Sequence, residues 1–191
     1  LPLVGSVIAG ILAFVGGITE SPKKKNLDQS AQLVTVGAML LSALAAIFAF
    51  FDVVVNGNTT NIKLWTWVNS GSLEYSWELR GDALSMVMLL MVTWVSSMIH
   101  IYSIGYMSHD NSIPRFMSYL SLFTFFMLML VTSNNLVQLF FGWEGVGLMS
   151  YLLIGFWYDR PSACAAAIKA FIVNRVGDFG FALGIFATFL L

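Results

Sequence analysis

The sequence is poor in charge, in cysteine and in histidine. Only 10% of its 191 residues are Asp, Glu, Lys or Arg, against about 25% in a soluble domain. That shortage excludes an ordinary water-soluble globule. A formal net charge of -1 lacks the basic footprint that nucleic-acid binding requires. The single cysteine, Cys164, excludes an internal disulfide and any thiolate cluster for zinc or iron–sulfur. The two histidines, His100 and His109, are too few and too badly placed to hold a haem between helices. No phosphate loop, metal-ligand spacing or nucleophile elbow appears. The expectation is a chain without a cofactor or metal of its own.

What is abundant is apolar surface. Hydrophobic residues make up 58% of the chain, and they fall in runs of about 20, the length of a bilayer-crossing helix. Six spans are predicted, over about 1–19, 32–55, 83–104, 116–132, 135–157 and 163–191. The fold class is therefore an all-α polytopic membrane protein, a bundle of transmembrane helices. The first run lacks the basic lead-in of a secretory signal and reads as a retained helix. Leu1 and the terminal run "FATFLL" read as cut ends of a longer chain.

Loop charges set the orientation, because basic residues mark the cytoplasmic side. Lys23, Lys24, Lys25, Arg115, Arg160 and Lys169 fall in or beside the odd-numbered loops; Lys63 and Arg80 fall in the second. The N-terminus is thus expected to face outward. The second loop, "IKLWTWVNSGSLEYSWEL", alternates apolar and polar residues about Asn69-Ser70-Gly71. That pattern predicts a β-hairpin over about 62–79, on the outer face.

Three charged residues lie deep in apolar spans: Glu144, Arg175 and Asp178. Each costs at least about 2.5–3.5 kcal/mol by insertion scales, so such residues face a bundle interior or a wet cavity. Spans five and six should form an antiparallel pair turning near Asp159-Arg160-Pro161. Glu144 lies 17 residues before Pro161 and Asp178 17 after it, which puts both about 25 Å along their helices from the turn. Arg175, three residues before Asp178, shares its helix face. A carboxylate balanced between desolvation and a nearby cation changes protonation when the cation moves. Glu144, Arg175 and Asp178 are therefore candidates for a proton relay; a static salt bridge that fixes helix packing is the alternative. Lys169 sits nearer the cytoplasmic end. It serves either as a snorkelling anchor or as a pathway residue. His100 is expected to be an interfacial or hydrogen-bonded residue, and Gln138 a packing residue that could extend a wet path. Asp52 and Asp82 should be solvated near the outer face. Glycines 142, 145 and 147 should let a neighbouring helix approach closely.

Three stretches carry a resemblance: "HIYSIGYM" at 100–107, "LFFGWEGVGLMSYLLIGFWY" at 139–158 and "AAAIKAFIVNRVGDFGFALGIF" at 165–186. They resemble the L subunit of bacterial NADH–quinone oxidoreductase and its mitochondrial counterpart, chain 5 of respiratory complex I. The resemblance implies an antiporter-like subunit of the membrane arm, with residues 1–115 forming N-terminal helices and 116–191 opening the antiporter-like repeat. It implies that Glu144 of "GWEG" is the mid-membrane acid, with Arg175 and Asp178 of "NRVGD" beside it. It implies proton translocation driven by electron transfer elsewhere, where NADH, FMN, iron–sulfur clusters and quinone are bound. The implied partners are other membrane-arm subunits, especially the adjacent antiporter-like subunit, together with the lipid bilayer and protons. The implied location is the bacterial plasma membrane or the mitochondrial inner membrane. Sodium–proton antiporter subunits of the Mrp type share the glutamate and are the alternative.

Overall fold

The computed structural model describes residues 1–18, 21–70 and 73–190. Its elements run α1 (Pro2–Ile18), α2 (Ser21–Phe50), a π-helical turn (Phe51–Val55), β1 (Thr60–Ser70), β2 (Leu73–Gly81), α3 (Ala83–Tyr106), α4 (Ile113–Val131), α5 (Leu136–Ile154) and α6 (Pro161–Leu190). Five helical segments are long and apolar enough to cross a membrane. The 17-residue α1 would be about 25 Å long and falls at the lower limit for a span. The 19-residue α4 and α5 come to about 29 Å, close to the hydrocarbon thickness.

Local chemistry explains the boundaries. The Asp82 carboxylate accepts the Ser85 N–H at 2.8 Å and caps α3. Asn135 caps α5 in the same way through the Gln138 N–H, at 2.8 Å. Proline stands at the second residue of α4 and the first of α6, where its missing N–H costs nothing. One expectation needs correction. Lys23, Lys24 and Lys25 do not lie in a loop; they lie in the first turns of α2, which begins at Ser21. The polar stretch ahead of the second span carries no stop signal after Pro22, so the helix extends N-terminally beyond the apolar run.

The helices pack through small and hydroxylic residues, as membrane helices do. Ser6 of α1 and Ser118 of α4 exchange hydrogen bonds, each hydroxyl donating to the other's carbonyl at 2.9 Å. The buried face of α3 is mostly polar: Thr93, Ser96, Ser97, His100 and Ser103. Thr93, Ser97 and Ser103 donate to carbonyls four residues back at 2.7–2.8 Å, so burial leaves them satisfied. Between α4 and α5 the approach is closest. A Cβ on Gly142 would stand 2.7 Å from the Leu130 backbone nitrogen, and one on Gly145 would overlap the Phe126 ring. Gly147 faces the other way, toward Asn174 of α6. The expected close approach is present at Gly142 and Gly145, whereas at Gly147 the contact is an ordinary 3.7 Å one.

The hairpin spans Thr60 to Gly81, two residues longer at each end than predicted, with Trp65 opposite Trp77 and Ser70 opposite Leu73. Asn69 and Ser70, expected in the turn, instead end β1, opposite Glu74 and Leu73; Gly71, the last residue of the expected turn, lies outside the described residues. Trp65 stacks on Trp77 with centroids 5.4 Å apart. Trp67 and Trp77 both meet Phe141 of α5, at 6.0 and 5.1 Å. The hairpin is also tied to the α4–α5 connection. The Arg80 N–H donates to Thr132 O at 2.8 Å, and Asn135 Nδ2 donates to Ser76 O at 2.7 Å. Gln138 Oε1 accepts the Glu78 N–H at 3.1 Å.

At the opposite end, Met107, Ile113, Met117 and Phe156 form a buried cluster. Arg115 lies 4.5 Å over the Phe156 ring and donates to Phe156 O at 3.1 Å. The foot of α5 is thereby held against the start of α4.

Candidate functional site

α5 and α6 are antiparallel neighbours, and their register determines which polar groups meet. Gly155, just past the end of α5, is level with Ala167 of α6, where an added Cβ would stand 3.2 Å from the Ala167 Cβ. Tyr151 meets Phe171 at 5.3 Å and Phe140 meets Phe181 at 5.7 Å. Glu144 lies eleven residues before Gly155, and Asp178 eleven after Ala167. The two acids thus share one depth, as their spacing from Pro161 predicts. Asp178 lies about 25 Å along α6 from Pro161, as expected, whereas Glu144 has only about 15 Å of helix between it and the end of α5, because α5 ends at Ile154 and the first turns of α6 extend beyond it.

The charges meet at that depth. Arg175 Nη1 is hydrogen-bonded to Glu144 Oε2 in an ion pair. The same nitrogen lies 3.6 Å from Asp178 Oδ2, close enough for attraction but beyond a good hydrogen bond. The guanidinium also sits 4.5 Å over the Phe171 ring, a favourable cation–π position. Trp143, on α5 beside Glu144, donates its indole N–H to Asp178 Oδ1 at 2.7 Å. The Asp178 side chain is 9% exposed, Glu144 24% and Arg175 41%. One cation lies between two acids, and each acid accepts a hydrogen bond. The arrangement can hold charge in an apolar slab and can redistribute it when one acid gains a proton.

Lys169 lies apart. It is exposed on α6, nine residues before Asp178 and so on the opposite side of the helix. Among the described residues it makes no ion pair with Glu144 or Asp178. His100 is fully buried. Its Nδ1–H donates to Ser96 O at 2.7 Å, and its Nε2 meets Ser121 Oγ at 3.0 Å. That is the hydrogen-bonded role expected of it. Gln138 is also fully buried and receives the hairpin. Asp52 accepts from Asn58 Nδ2 at 2.9 Å. Asp82, between α3 and the hairpin, pairs with Arg80 at 2.8 Å. Trp143 is the site residue that sequence reasoning missed. A signal was available: an indole N–H in hydrocarbon must find a partner, and the nearest charged groups are those of the site.

Comparison with known proteins adds the family. Residues 67–117 match the family described as "NADH-Ubiquinone oxidoreductase (complex I), chain 5 N-terminus". Residues 133–191 match "NADH:quinone oxidoreductase/Mrp antiporter, TM". The chain is 51% identical over 186 residues to NADH-quinone oxidoreductase subunit L of Rickettsia conorii, covering 97% of this chain and 27% of that protein. It is 51% identical over 197 residues to subunit L of Rhodobacter capsulatus, covering 100% of this chain and 26% of that protein. It is 48% identical over 192 residues to NADH-ubiquinone oxidoreductase chain 5 of Triticum aestivum, covering 100% and 27%. The chain therefore spans about a quarter of the length of these relatives. Over its whole length, the chain is about half identical to NADH-quinone oxidoreductase subunit L and to NADH-ubiquinone oxidoreductase chain 5.

Proposed function

We propose that this chain is part of a proton-translocating membrane-arm subunit of NADH:quinone oxidoreductase, in which Glu144, Arg175 and Asp178 form a mid-membrane relay. Electron transfer from NADH to quinone takes place in other subunits, which hold the FMN and iron–sulfur clusters. The energy released there drives protons through this subunit. The observation that carries the reading is the shared Arg175: one guanidinium nitrogen pairs with Glu144 while lying 3.6 Å from Asp178. Protonation of Glu144 removes the charge that holds Arg175, and Asp178 is the next acceptor within reach. Arrival of a proton at one acid is thereby converted into a short movement of positive charge toward the other. The partners are the neighbouring antiporter-like subunit and the rest of the membrane arm, in the bacterial plasma membrane or the mitochondrial inner membrane. The match of residues 67–117 to the chain 5 N-terminus favours this reading over a sodium–proton antiporter.

The test is Glu144→Gln in the full-length subunit, assembled in the whole complex and reconstituted in liposomes. Assembly and NADH oxidation are retained while most coupled proton pumping is lost. Pumping at the wild-type proton-to-electron ratio would return Glu144 to the role of a static bridge.

A further inference from the structure

Arg175 raises a question of partner choice. Asp178 lies three residues on along the same helix, a spacing that brings side chains together without help from another element. Glu144 belongs to a different helix. Yet the hydrogen bond goes to Glu144, and Asp178 is left at 3.6 Å. Something must satisfy Asp178 in place of the guanidinium, because a carboxylate in hydrocarbon without a donor is costly. The structure supplies one donor: Trp143 Nε1, 2.7 Å from Asp178 Oδ1. The contacts therefore cross between the helices. α6 gives Arg175 to the acid of α5, and α5 gives Trp143 to the acid of α6.

We propose that Trp143 is a positioning residue for the relay, whose indole N–H holds Asp178 so that Arg175 pairs with Glu144. This rests on the reading of Glu144, Arg175 and Asp178 as a relay. The ring has a packing role as well, since it meets Phe181 edge-on at 6.0 Å. Any aromatic of similar size would serve that contact. Only the N–H sets the partner of Arg175, so the two roles separate when the N–H is removed and a ring is kept.

The experiment uses the full-length subunit in the assembled complex, with NADH-driven pumping measured in liposomes and the structure of each variant determined. Trp143→Phe removes the donor. One hydrogen bond to a charged group shifts a partition by about tenfold or more, so Arg175 is expected to leave Glu144 for Asp178. The proton-to-electron ratio falls severalfold while assembly holds. In the double variant Trp143→Phe with Asp178→Asn, the ratio is no lower than in Asp178→Asn alone, because Trp143 acts through Asp178. If the Phe variant does not assemble, 3-benzothienylalanine at position 143, an indole isostere with sulfur in place of N–H, takes its place. Multiplying losses in the double variant, or Arg175 still on Glu144 without the N–H, would overturn the proposal. Glu144→Gln is the internal control: pumping that survives it removes the relay itself, whereas pumping lost there but unaltered in Trp143→Phe removes only the role of Trp143.

Discussion

Arg175 places one positive charge between two carboxylates, and its contacts distinguish the charges that meet from the one that stands apart. Asp178 accepts from Trp143 and lies beside the guanidinium; Lys169 lies on the opposite side of α6 and touches neither acid. Asp178→Asn keeps the shape and an acceptor for the indole but removes the charge to which Arg175 would move. Lys169→Ala removes a charge that pairs with neither acid among the described residues. Asp178→Asn is therefore expected to lower the proton-to-electron ratio of the reconstituted complex more than Lys169→Ala does. The reverse order would move the pathway toward Lys169.

At the scale of single elements, the ends of the helices follow from their caps, and one cap titrates. Hydrogen bonds from the Ser85 backbone N–H and then its hydroxyl, with help from Arg80, hold the Asp82 carboxyl below the usual carboxylate value of 3.8. A carboxylate whose folded value is depressed contributes stability above its ordinary value. That stability is lost as pH falls through the folded value. Asp82→Ala should therefore cost about 1 kcal/mol, the usual worth of an N-cap, at neutral pH. The difference from wild type should shrink toward zero as the medium is acidified below the usual carboxylate range. Thermal unfolding of the detergent-solubilised protein across that range checks it; a gap that widens in acid would contradict the assignment.

Elements were legible in the sequence to the degree that their signals were local. Hydrophobic length located all six helices, and alternation located the hairpin, because each signal is complete within its own segment. The helical start of α2 was not legible: Lys23, Lys24 and Lys25 look like a loop when charge is the only guide. In the site, the common depth of Glu144 and Asp178 could be counted from Pro161, and the placing of Arg175 followed from helical spacing. The Trp143–Asp178 bond could not be counted. It depends on the rotation of α5 relative to α6, which is fixed by side chains along the whole seam.

For the molecule as a whole, the decisive contact is the seam between α4 and α5. Gly142 lets the Leu130 backbone lie where a side chain would otherwise be. Gly142→Val should force the helices apart, at about 1–3 kcal/mol as for other overpacked sites, and lower the melting temperature and the yield of assembled complex. Gly177→Ala is the matched control, since its new methyl meets nothing within 4 Å among the described residues. Equal losses from both variants would show that the tight seam is not what holds α5 in place.

α5 is fastened at three levels. The hairpin grips its head through Asn135 and Gln138, the two glycines press its middle onto α4, and Arg115 grips its foot through Phe156. Glu144 is thus carried on a backbone that acts as a mooring post, on a side chain with only two methylenes of slack. The Arg175 side chain is the longer tether. In the proposed relay, the guanidinium is the passenger and the glutamate is the quay.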